Sequence, residues 1–347
     1  MSFKSWISII TLVLLSLVIY LGRNEIAQAW GLLDSVNLWI LALLIPVQLA
    51  SYYATGGVIF SYLRSKGNIK HLSHWETTRI SLELNFVNHI LPTGGAAGFS
   101  YLAWILNRHG VSPGRATMSQ IVRYLMTFVS FIAIMLLALT VLIFDNGINK
   151  VILIISALLA FLIIGGTIFV IYAIGNRDRL IKFSSILTNL LNKIIKLFTR
   201  GKKKQAVKLE KIEAFFVELH QDYLEIKREK KILVGPLFWS IAINVFDVAL
   251  LSVAFWALGF YVNPAILFIA FGISSIAGIV SSIPGGAGVY EAVMIAFLAS
   301  SGVPAEMAIA GTLLARVALL SGTVLFGYIF YQLTINKYGK APTKSSL

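Results

Sequence analysis

The sequence contains no cysteine, and only 13% of its residues are charged. The absence of cysteine excludes disulfides, thiolate metal sites and cysteine nucleophiles. Soluble domains carry about 25% charged residues, whereas hydrophobic residues make up 58% of this chain. Because a water-soluble core cannot hide that much apolar surface, we interpret the chain as a polytopic membrane protein.

Acidic residues and histidines are scarce as well. The formal net charge is +14, and the five histidines show no metal-ligand spacing. Basic residues lie in short loops beside apolar segments, as the positive-inside rule describes, and they would attract anionic lipid headgroups. We therefore expect no nucleic-acid partner, no metal and no cofactor. The sequence contains no Walker motif, so ATP is not expected to be the direct energy source.

A transmembrane helix needs about 20 mainly apolar residues. Six segments are predicted to span the membrane: 6–22, 38–60, 115–144, 150–175, 232–260 and 305–335. The first resembles a secretory signal, but Arg23 and Glu25 follow it, which favours an uncleaved span. Two further apolar regions, 75–108 and 265–300, are each interrupted by proline and glycine.

The placement of lysine and arginine predicts the orientation of these segments. Three basic segments are predicted to be cytoplasmic: 61–74, 176–231 and the C-terminal tail. Three connections with few basic residues are predicted to be external: 23–37, 145–149 and 261–264. This assignment is consistent only if each interrupted region enters and leaves on one side. The second half then repeats the first in inverted orientation, as in many transporters.

We therefore predict an all-α protein with a single transmembrane domain over 1–347, about six full spans and two re-entrant or broken helical hairpins. Residues 1–144 form the first inverted repeat and 150–335 the second. The second includes a cytoplasmic insertion at 176–231, predicted as an amphipathic interfacial helix followed by a charged, solvated one. The expected location is the cell (inner or plasma) membrane, multi-pass, with both termini cytoplasmic.

The two interruptions share one pattern. Each has a proline followed by glycines, a second apolar run, and then an arginine inside an apolar helix. Irregular backbone at membrane depth is tolerated only where it is buried in protein or lines a wet cavity. We expect the glycines to face each other or a cavity near the midplane, where helix N-termini would attract an anion such as phosphate. The alternative is that small residues only permit tight packing. The residues concerned are Pro92, Gly94, Gly95, Gly98, Pro284, Gly285, Gly286 and Gly288.

Arg123 and Arg316 are the two arginines of this pattern. An intramembrane charge costs at least a few kcal/mol, so it is usually functional or paired. Arginine binds phosphate in a bidentate manner. The alternative is an internal ion pair, with Glu291 as the natural partner in the second half and Glu83 and Asp247 as others. Several further polar or aromatic residues are candidates for the cavity lining or for contacts between helices: Asn85, Asn88, Tyr101, Gln120, Asn244, Asp247 and Tyr290.

At these residues the chain resembles the membrane domain of lysylphosphatidylglycerol synthases. The similarity covers roughly 5–335, and the sequence Pro-Gly-Gly-Ala-Gly-Val-Tyr-Glu at 284–291 carries it, with Leu-Pro-Thr-Gly-Gly-Ala-Ala-Gly at 91–98. The resemblance implies two re-entrant motifs, although the first lacks an acid that matches Glu291. It also implies a domain that moves aminoacylated phosphatidylglycerol between leaflets. The chain stops at Leu347, so we expect the soluble synthase domain to be absent.

The leading hypothesis is transport of an anionic phospholipid or lipid-linked headgroup between leaflets through a midplane cavity, without catalysis. Its substrate-binding residues would be Arg123, Arg316, Glu291, Gly94, Gly95, Gly98, Gly285, Gly286, Gly288, Tyr290, Asn88 and Gln120, with Pro92 and Pro284 as structural breaks. The alternatives are an intramembrane enzyme, a membrane component of aminoacyl-phosphatidylglycerol synthesis, and a scaffold for a partner synthase. A synthase or glycosyltransferase partner and a homodimer also stay open.

Overall fold

The computed structural model describes residues 36–91, 95–145, 149–198, 208–281, 283 and 286–338, with single residues at 20, 23, 27 and 31. The predicted first span, 6–22, lies almost entirely outside these residues. Four residues of the predicted site also lie outside them: Pro92, Gly94, Pro284 and Gly285. Every regular element in the described part is helical, which confirms the predicted all-α fold of a polytopic membrane protein.

The described helices are α1 (Leu38–Leu41), α2 (Leu44–Ser65), α3 (His74–Ile90), α4 (Ala96–Asn107), α5 (Pro113–Phe144), α6 (Lys150–Ile174), α7 (Arg177–Phe198), α8 (Leu209–Arg228), α9 (Val234–Ala257), α10 (Pro264–Ser281), α11 (Val289–Ser300) and α12 (Ala305–Tyr338). Six segments among the described residues are long and apolar enough to cross a membrane. Five of them match predicted spans. The sixth is α10, which the sequence placed in an interrupted region; its 18 residues reach about 27 Å.

The order of helix lengths repeats in the two halves. In the first half, α2, α3, α4 and α5 have 22, 17, 12 and 32 residues. In the second half, α9, α10, α11 and α12 have 24, 18, 12 and 34 residues. We call α3–α4 the first hairpin and α10–α11 the second hairpin. Each hairpin thus has a long first arm, a short second arm and a long helix after it.

The first hairpin opens at one end of the molecule, which we call the basic end. His71, just before α3, and His109, just after α4, have ring centroids 5.8 Å apart. His109 also contacts Tyr338 at the end of α12, with centroids 5.9 Å apart. At the same end, Lys66 after α2 pairs with Glu225 of α8. Both ends of the first hairpin therefore lie on one side.

The second hairpin opens at the opposite end, which we call the far end. Asn263, just before α10, donates from Nδ2 to Oδ2 of Asp145 after α5, at 3.2 Å. Asn149, just before α6, donates from Nδ2 to the Ser300 carbonyl at the end of α11, at 3.1 Å. The two hairpins consequently enter the protein from opposite ends, which is the inverted order that the basic residues predict.

Each hairpin packs its first arm on the long helix of the other half. Phe86 of α3 covers Gly327 of α12, and Phe131 of α5 covers Gly272 of α10. A Cβ on Gly327 would lie 2.5 Å from Cβ of Phe86, and a Cβ on Gly272 would lie 2.3 Å from Cζ of Phe131. Only glycine therefore permits these close approaches. These exchanged contacts join the two halves into one packed unit.

The insertion at 176–231 differs in part from its prediction. α7 is amphipathic, as expected, and leaves Phe183, Ile186 and Leu190 exposed. α8 is more than a solvated helix, because Phe216 and Leu219 are buried in the core. Arg115 at the start of α5 holds α8 through Asp222, with Nη2–Oδ1 at 3.0 Å. Because charged residues alternate along α8, its buried side could not be recognised from the sequence.

Candidate functional site

Arg316 and Glu291 form an ion pair inside the membrane region. Nε of Arg316 donates to Oε1 of Glu291 at 2.7 Å, and the two side chains are 11% and 7% exposed. The other carboxylate oxygen, Oε2, accepts the backbone N–H of Gly288 at 2.7 Å. Glu291 therefore closes the N-terminus of α11 and neutralises Arg316 at the same time.

The turn of the second hairpin packs tightly beside this pair. Gly286 has φ of +70°, and a Cβ there would lie 2.9 Å from Cα of Gly278 on α10. The guanidinium carbon of Arg316 lies 4.6 Å from the centroid of the buried Tyr290 ring. Gly288, in contrast, faces open space. Of the two predicted glycines in this turn that the structure describes, Gly286 packs against its own hairpin and Gly288 is open.

Arg123 occupies the corresponding place in the first half, with different partners. Its Nε donates to Oε1 of Gln120 at 2.8 Å, and its guanidinium carbon lies 4.3 Å from the Tyr124 ring centroid. Within the described part of the chain, no carboxylate lies at ion-pair distance from Arg123. Nε2 of Gln120 is buried without a hydrogen-bond partner there. The two arginines thus differ: one is neutralised by an acid and the other is not.

Both arginines lie about one third of the way along their helices. Arg123 is ten residues from the start of α5 at the basic end, about 15 Å. Arg316 is eleven residues from the start of α12 at the far end, about 16 Å. The hydrocarbon core of a bilayer is about 30 Å thick. Both charges therefore fall inside the hydrocarbon layer, although their helices begin at opposite ends.

The turn of the first hairpin approaches Arg123 through aromatic residues. A Cβ on Gly95 would lie 3.3 Å from the Tyr124 hydroxyl, and Phe99 stacks on Tyr124 with centroids 5.8 Å apart. Within the hairpin, the Gly98 N–H donates to Oδ1 of Asn88 at 3.0 Å, and a Cβ on Gly98 would clash with the same amide. Gly98 and Asn88 therefore close the hairpin on itself.

Two residues bring the hairpins close to one site. His89, near the end of α3, lies within electrostatic reach of Arg316. Asp247 on α9 is within similar reach of Tyr290 and accepts a hydrogen bond from Ser51 at 3.0 Å. The end of α3 and the start of α11 therefore lie close to Arg316, and Asp247 lies on the side of Tyr290. Sequence reasoning named Asp247 but missed His89, because a lone histidine in a hydrophobic segment gives no distinct signal.

A second polar network, also missed in the sequence, lies one turn beyond Arg316. Nε2 of Gln48 on α2 donates to the Tyr52 hydroxyl at 2.7 Å and to the Leu319 carbonyl of α12 at 2.8 Å. The Tyr52 hydroxyl also bonds Thr323. The i, i+4 spacing of Gln48 and Tyr52 was the available signal. This network joins α2 to α12 beside the candidate site.

Two predicted residues have contacts that serve packing. Asn244 donates to the Thr127 carbonyl at 3.1 Å and to the Ser130 hydroxyl at 2.7 Å, joining α9 to α5. Tyr101 donates to the fully buried Glu83 within the first hairpin. Both side chains are therefore used in contacts between helices and do not contact the two arginines.

Two grooves run along the outside of the helices. We call groove 1 the space of about 550 Å³ between α2, α3 and α12. Groove 2, of about 790 Å³, lies between α5, α9 and α10. Each is bounded by the first arm of a hairpin, the helix before that hairpin, and the long helix of the other half. Both are lined mainly by apolar side chains. Gln48 and Tyr52 line groove 1 and connect it to α12 at Leu319 and Thr323.

Comparison with known proteins supports the family suggested by the motifs. Residues 5–327 match the model of the lysylphosphatidylglycerol synthase TM region. A UPF0104 membrane protein of Methanocaldococcus jannaschii is 24% identical over 245 residues, which cover 70% of each chain. No solved structure matches the chain. With the match extending over nearly the whole sequence, the chain belongs to the family of the lysylphosphatidylglycerol synthase transmembrane region.

Proposed function

We propose that the protein moves an anionic phospholipid, or another lipid with an anionic headgroup, between the two leaflets without altering it. The observation that carries this proposal is the pair of intramembrane arginines, Arg123 and Arg316, beside two hairpins that open at opposite ends. Grooves on either side of this region supply apolar surface for lipid chains.

The different partners of the two arginines suit a mobile anion. Arg123 has an amide and an aromatic ring beside it, so its charge is available to a phosphate. Arg316 is neutralised by Glu291, and a phosphate would have to displace that carboxylate. Arginine forms two parallel hydrogen bonds with phosphate. A headgroup could therefore move between one strong and one competitive site without being trapped.

The grooves keep the hydrocarbon of the lipid out of the polar region. Lipid tails are apolar and stay in contact with the membrane while a headgroup crosses. Groove 1 and groove 2 are both lined mainly by leucine, isoleucine, valine and aromatic side chains. Moving a charged headgroup through bare hydrocarbon is costly, and the polar residues between the grooves lower that cost. The same arrangement serves either direction of movement.

Reconstitution into vesicles tests this function. The purified full-length chain is placed in liposomes that contain phosphatidylglycerol with a reducible label on its headgroup. A membrane-impermeant reductant then bleaches the label of the lipids in the outer leaflet. We expect bleaching to continue into the inner-leaflet pool, and R123Q to stop it. Mass spectrometry of the lipid recovered from a parallel sample without reductant should show an unchanged mass. Bleaching equal to that of protein-free vesicles, or a changed lipid mass, would contradict the proposal.

A further inference from the structure

Arg79 is a charged residue that the proposed transport does not yet use. It lies on α3 and lines groove 1 together with Trp75 and Thr78. Arg79 lies five positions after His74, the first residue of α3 at the basic end. This spacing corresponds to about 7.5 Å along the helix. The headgroup and interfacial layers add about 5–8 Å on each side of the hydrocarbon core. Arg79 thus lies near the membrane interface at the basic end.

The charge of Arg79 is compensated, but its donors are not used. Its Nε lies 3.3 Å from Oε1 of Glu83, and the two side chains are 25% and 0% exposed. Both oxygens of Glu83 already accept hydrogen bonds, from Tyr101 and from Thr334. The Nε of Arg79 is buried and, within the described part of the chain, has no hydrogen-bond partner. Glu83 therefore lowers the cost of the buried charge and leaves the guanidinium N–H groups for another acceptor.

The walls of groove 1 determine what kind of acceptor fits. Beyond Arg79 the groove is lined by apolar residues such as Leu82, Phe326 and Phe330, and Trp75 meets Phe330 edge to face at 6.0 Å. Tryptophan at this depth is typical of the membrane interface. An arginine at one end of an apolar groove matches a phosphate attached to a hydrocarbon chain, whereas free inorganic phosphate would leave the apolar walls uncovered.

Groove 2 has the opposite charge at its end. Asp145 and Asn263 line it at the far end, and its lining includes no arginine or lysine. An anionic headgroup is thus attracted at the basic-end mouth of groove 1 and repelled at the far-end mouth of groove 2. The two grooves correspond in position but differ in the charge that faces the lipid.

We infer that Arg79 binds the phosphate of an anionic glycerophospholipid from the leaflet at the basic end, with an acyl chain of that lipid in groove 1. Glu83 acts as a positioning residue that holds the guanidinium at the groove. This inference rests on the proposed function in that it makes groove 1 the loading site for transport, but lipid binding is measured separately from transport.

Photo-crosslinking tests the site. The full-length protein is placed in nanodiscs with phosphatidylglycerol that carries a diazirine on one acyl chain, and labelled peptides are mapped by mass spectrometry. We expect labelling of α2 and α12 in groove 1, about tenfold stronger than with the matching phosphatidylcholine. Both lipids carry a phosphate, but the choline cation of phosphatidylcholine offsets the attraction of its phosphate to Arg79. R79Q should remove the difference between the lipids, R79K should keep most of it, and K70Q, a change of an exposed basic-end residue, should have no effect.

Two results would overturn the inference. One is equal labelling by the two lipids in the wild type, and the other is an undiminished preference in R79Q. If R79Q does not fold, Ala318→Trp replaces it, because Ala318 lines the groove away from Arg79 and the larger side chain should abolish labelling. Selective labelling in a protein that moves no lipid would refute the proposed function and support this site. Transport with labelling that R79Q leaves unchanged would refute this site alone.

Discussion

Nε of Arg316 and Oε1 of Glu291 lie 2.7 Å apart and join the long helix α12 to the short arm of the second hairpin. Glu291 also accepts the Gly288 N–H at the start of α11. One carboxylate therefore caps the N-terminus of α11 and neutralises the charge of Arg316. The pair is therefore part of the folded structure and part of the candidate site. Arg123, whose neighbours are Gln120 and Tyr124, offers a cleaner test of function.

We predict that R123Q abolishes lipid movement and leaves the protein folded. No buried carboxylate loses its partner in this variant, so the loss of stability should stay below about 1 kcal/mol. Lipid movement in vesicles and thermal unfolding in detergent measure the two effects. R177Q, at the exposed start of α7, serves as the control and should change neither. Parallel loss of folded protein and transport in R123Q would show that Arg123 is structural.

For the ion pair we expect a different result. R316A leaves the buried Glu291 uncompensated and should cost about 3–5 kcal/mol of stability. R316A/E291Q removes the unpaired charge, so it should be more stable than R316A, while both variants stay inactive. Thermal unfolding of the two variants decides this. If R316A unfolds at the wild-type temperature, the pair contributes little to the fold.

Gly286, in the turn of the second hairpin, should not tolerate a side chain. Its φ of +70° and the 2.9 Å approach to Cα of Gly278 exclude any side chain without movement of the backbone. G286A should therefore reduce the yield of folded protein and lipid movement together. G302A is the matched control, since Gly302 also has a positive φ, +93°, but nothing lies near its Cβ position; its cost should be only about 1–2 kcal/mol. Equal effects of the two changes would show that the close packing is unimportant.

The contact between α8 and the basic end should weaken in acid. A hydrogen bond from Lys66 holds the pKa of Glu225 below its usual value of 4.5. A carboxyl with a lowered pKa in the folded state stabilises that state above its unfolded pKa, and the contribution is lost as pH falls through the folded value. Hydrogen exchange of α8 should thus increase below about pH 4.5 relative to the spans.

K66Q provides the control for this pH effect. Without the lysine, the Glu225 part of the increase should be absent, whereas Asp222 and Arg115 still hold α8. An increase of the same size in K66Q and in the wild type would assign the pH effect to another carboxyl group.

Much of the fold could be predicted from the sequence because lysine and arginine mark one end of each span. The opposite openings of the hairpins follow from that rule, and the contacts His71–His109 and Asn263–Asp145 show them in the structure. The length of α10 was harder to predict, because a proline-glycine break suggests a shorter arm than 18 residues.

The candidate site was only partly predictable. The pairing of Arg316 with Glu291 was among the alternatives, since a buried charge needs a partner. Arg79 was not singled out, because in the sequence it resembles any basic residue near a loop. Gln48, Tyr52 and Thr323 act through contacts between α2 and α12, 271 or more residues apart, and a single sequence gives no information about such pairs. Each groove is likewise formed by helices from both halves, so it can be recognised only in the folded structure.

The most direct test of the account compares two lipids in the same vesicles. Phosphatidylglycerol and phosphatidylcholine, each with a distinguishable reducible label, are reconstituted with the wild-type chain, and their loss from the inner leaflet is followed. The account predicts that phosphatidylglycerol crosses much faster than in protein-free vesicles while phosphatidylcholine stays near the protein-free rate. Movement of neither lipid above the protein-free rate, or equal movement of both, would contradict the claim that two intramembrane arginines carry an anionic headgroup across the membrane.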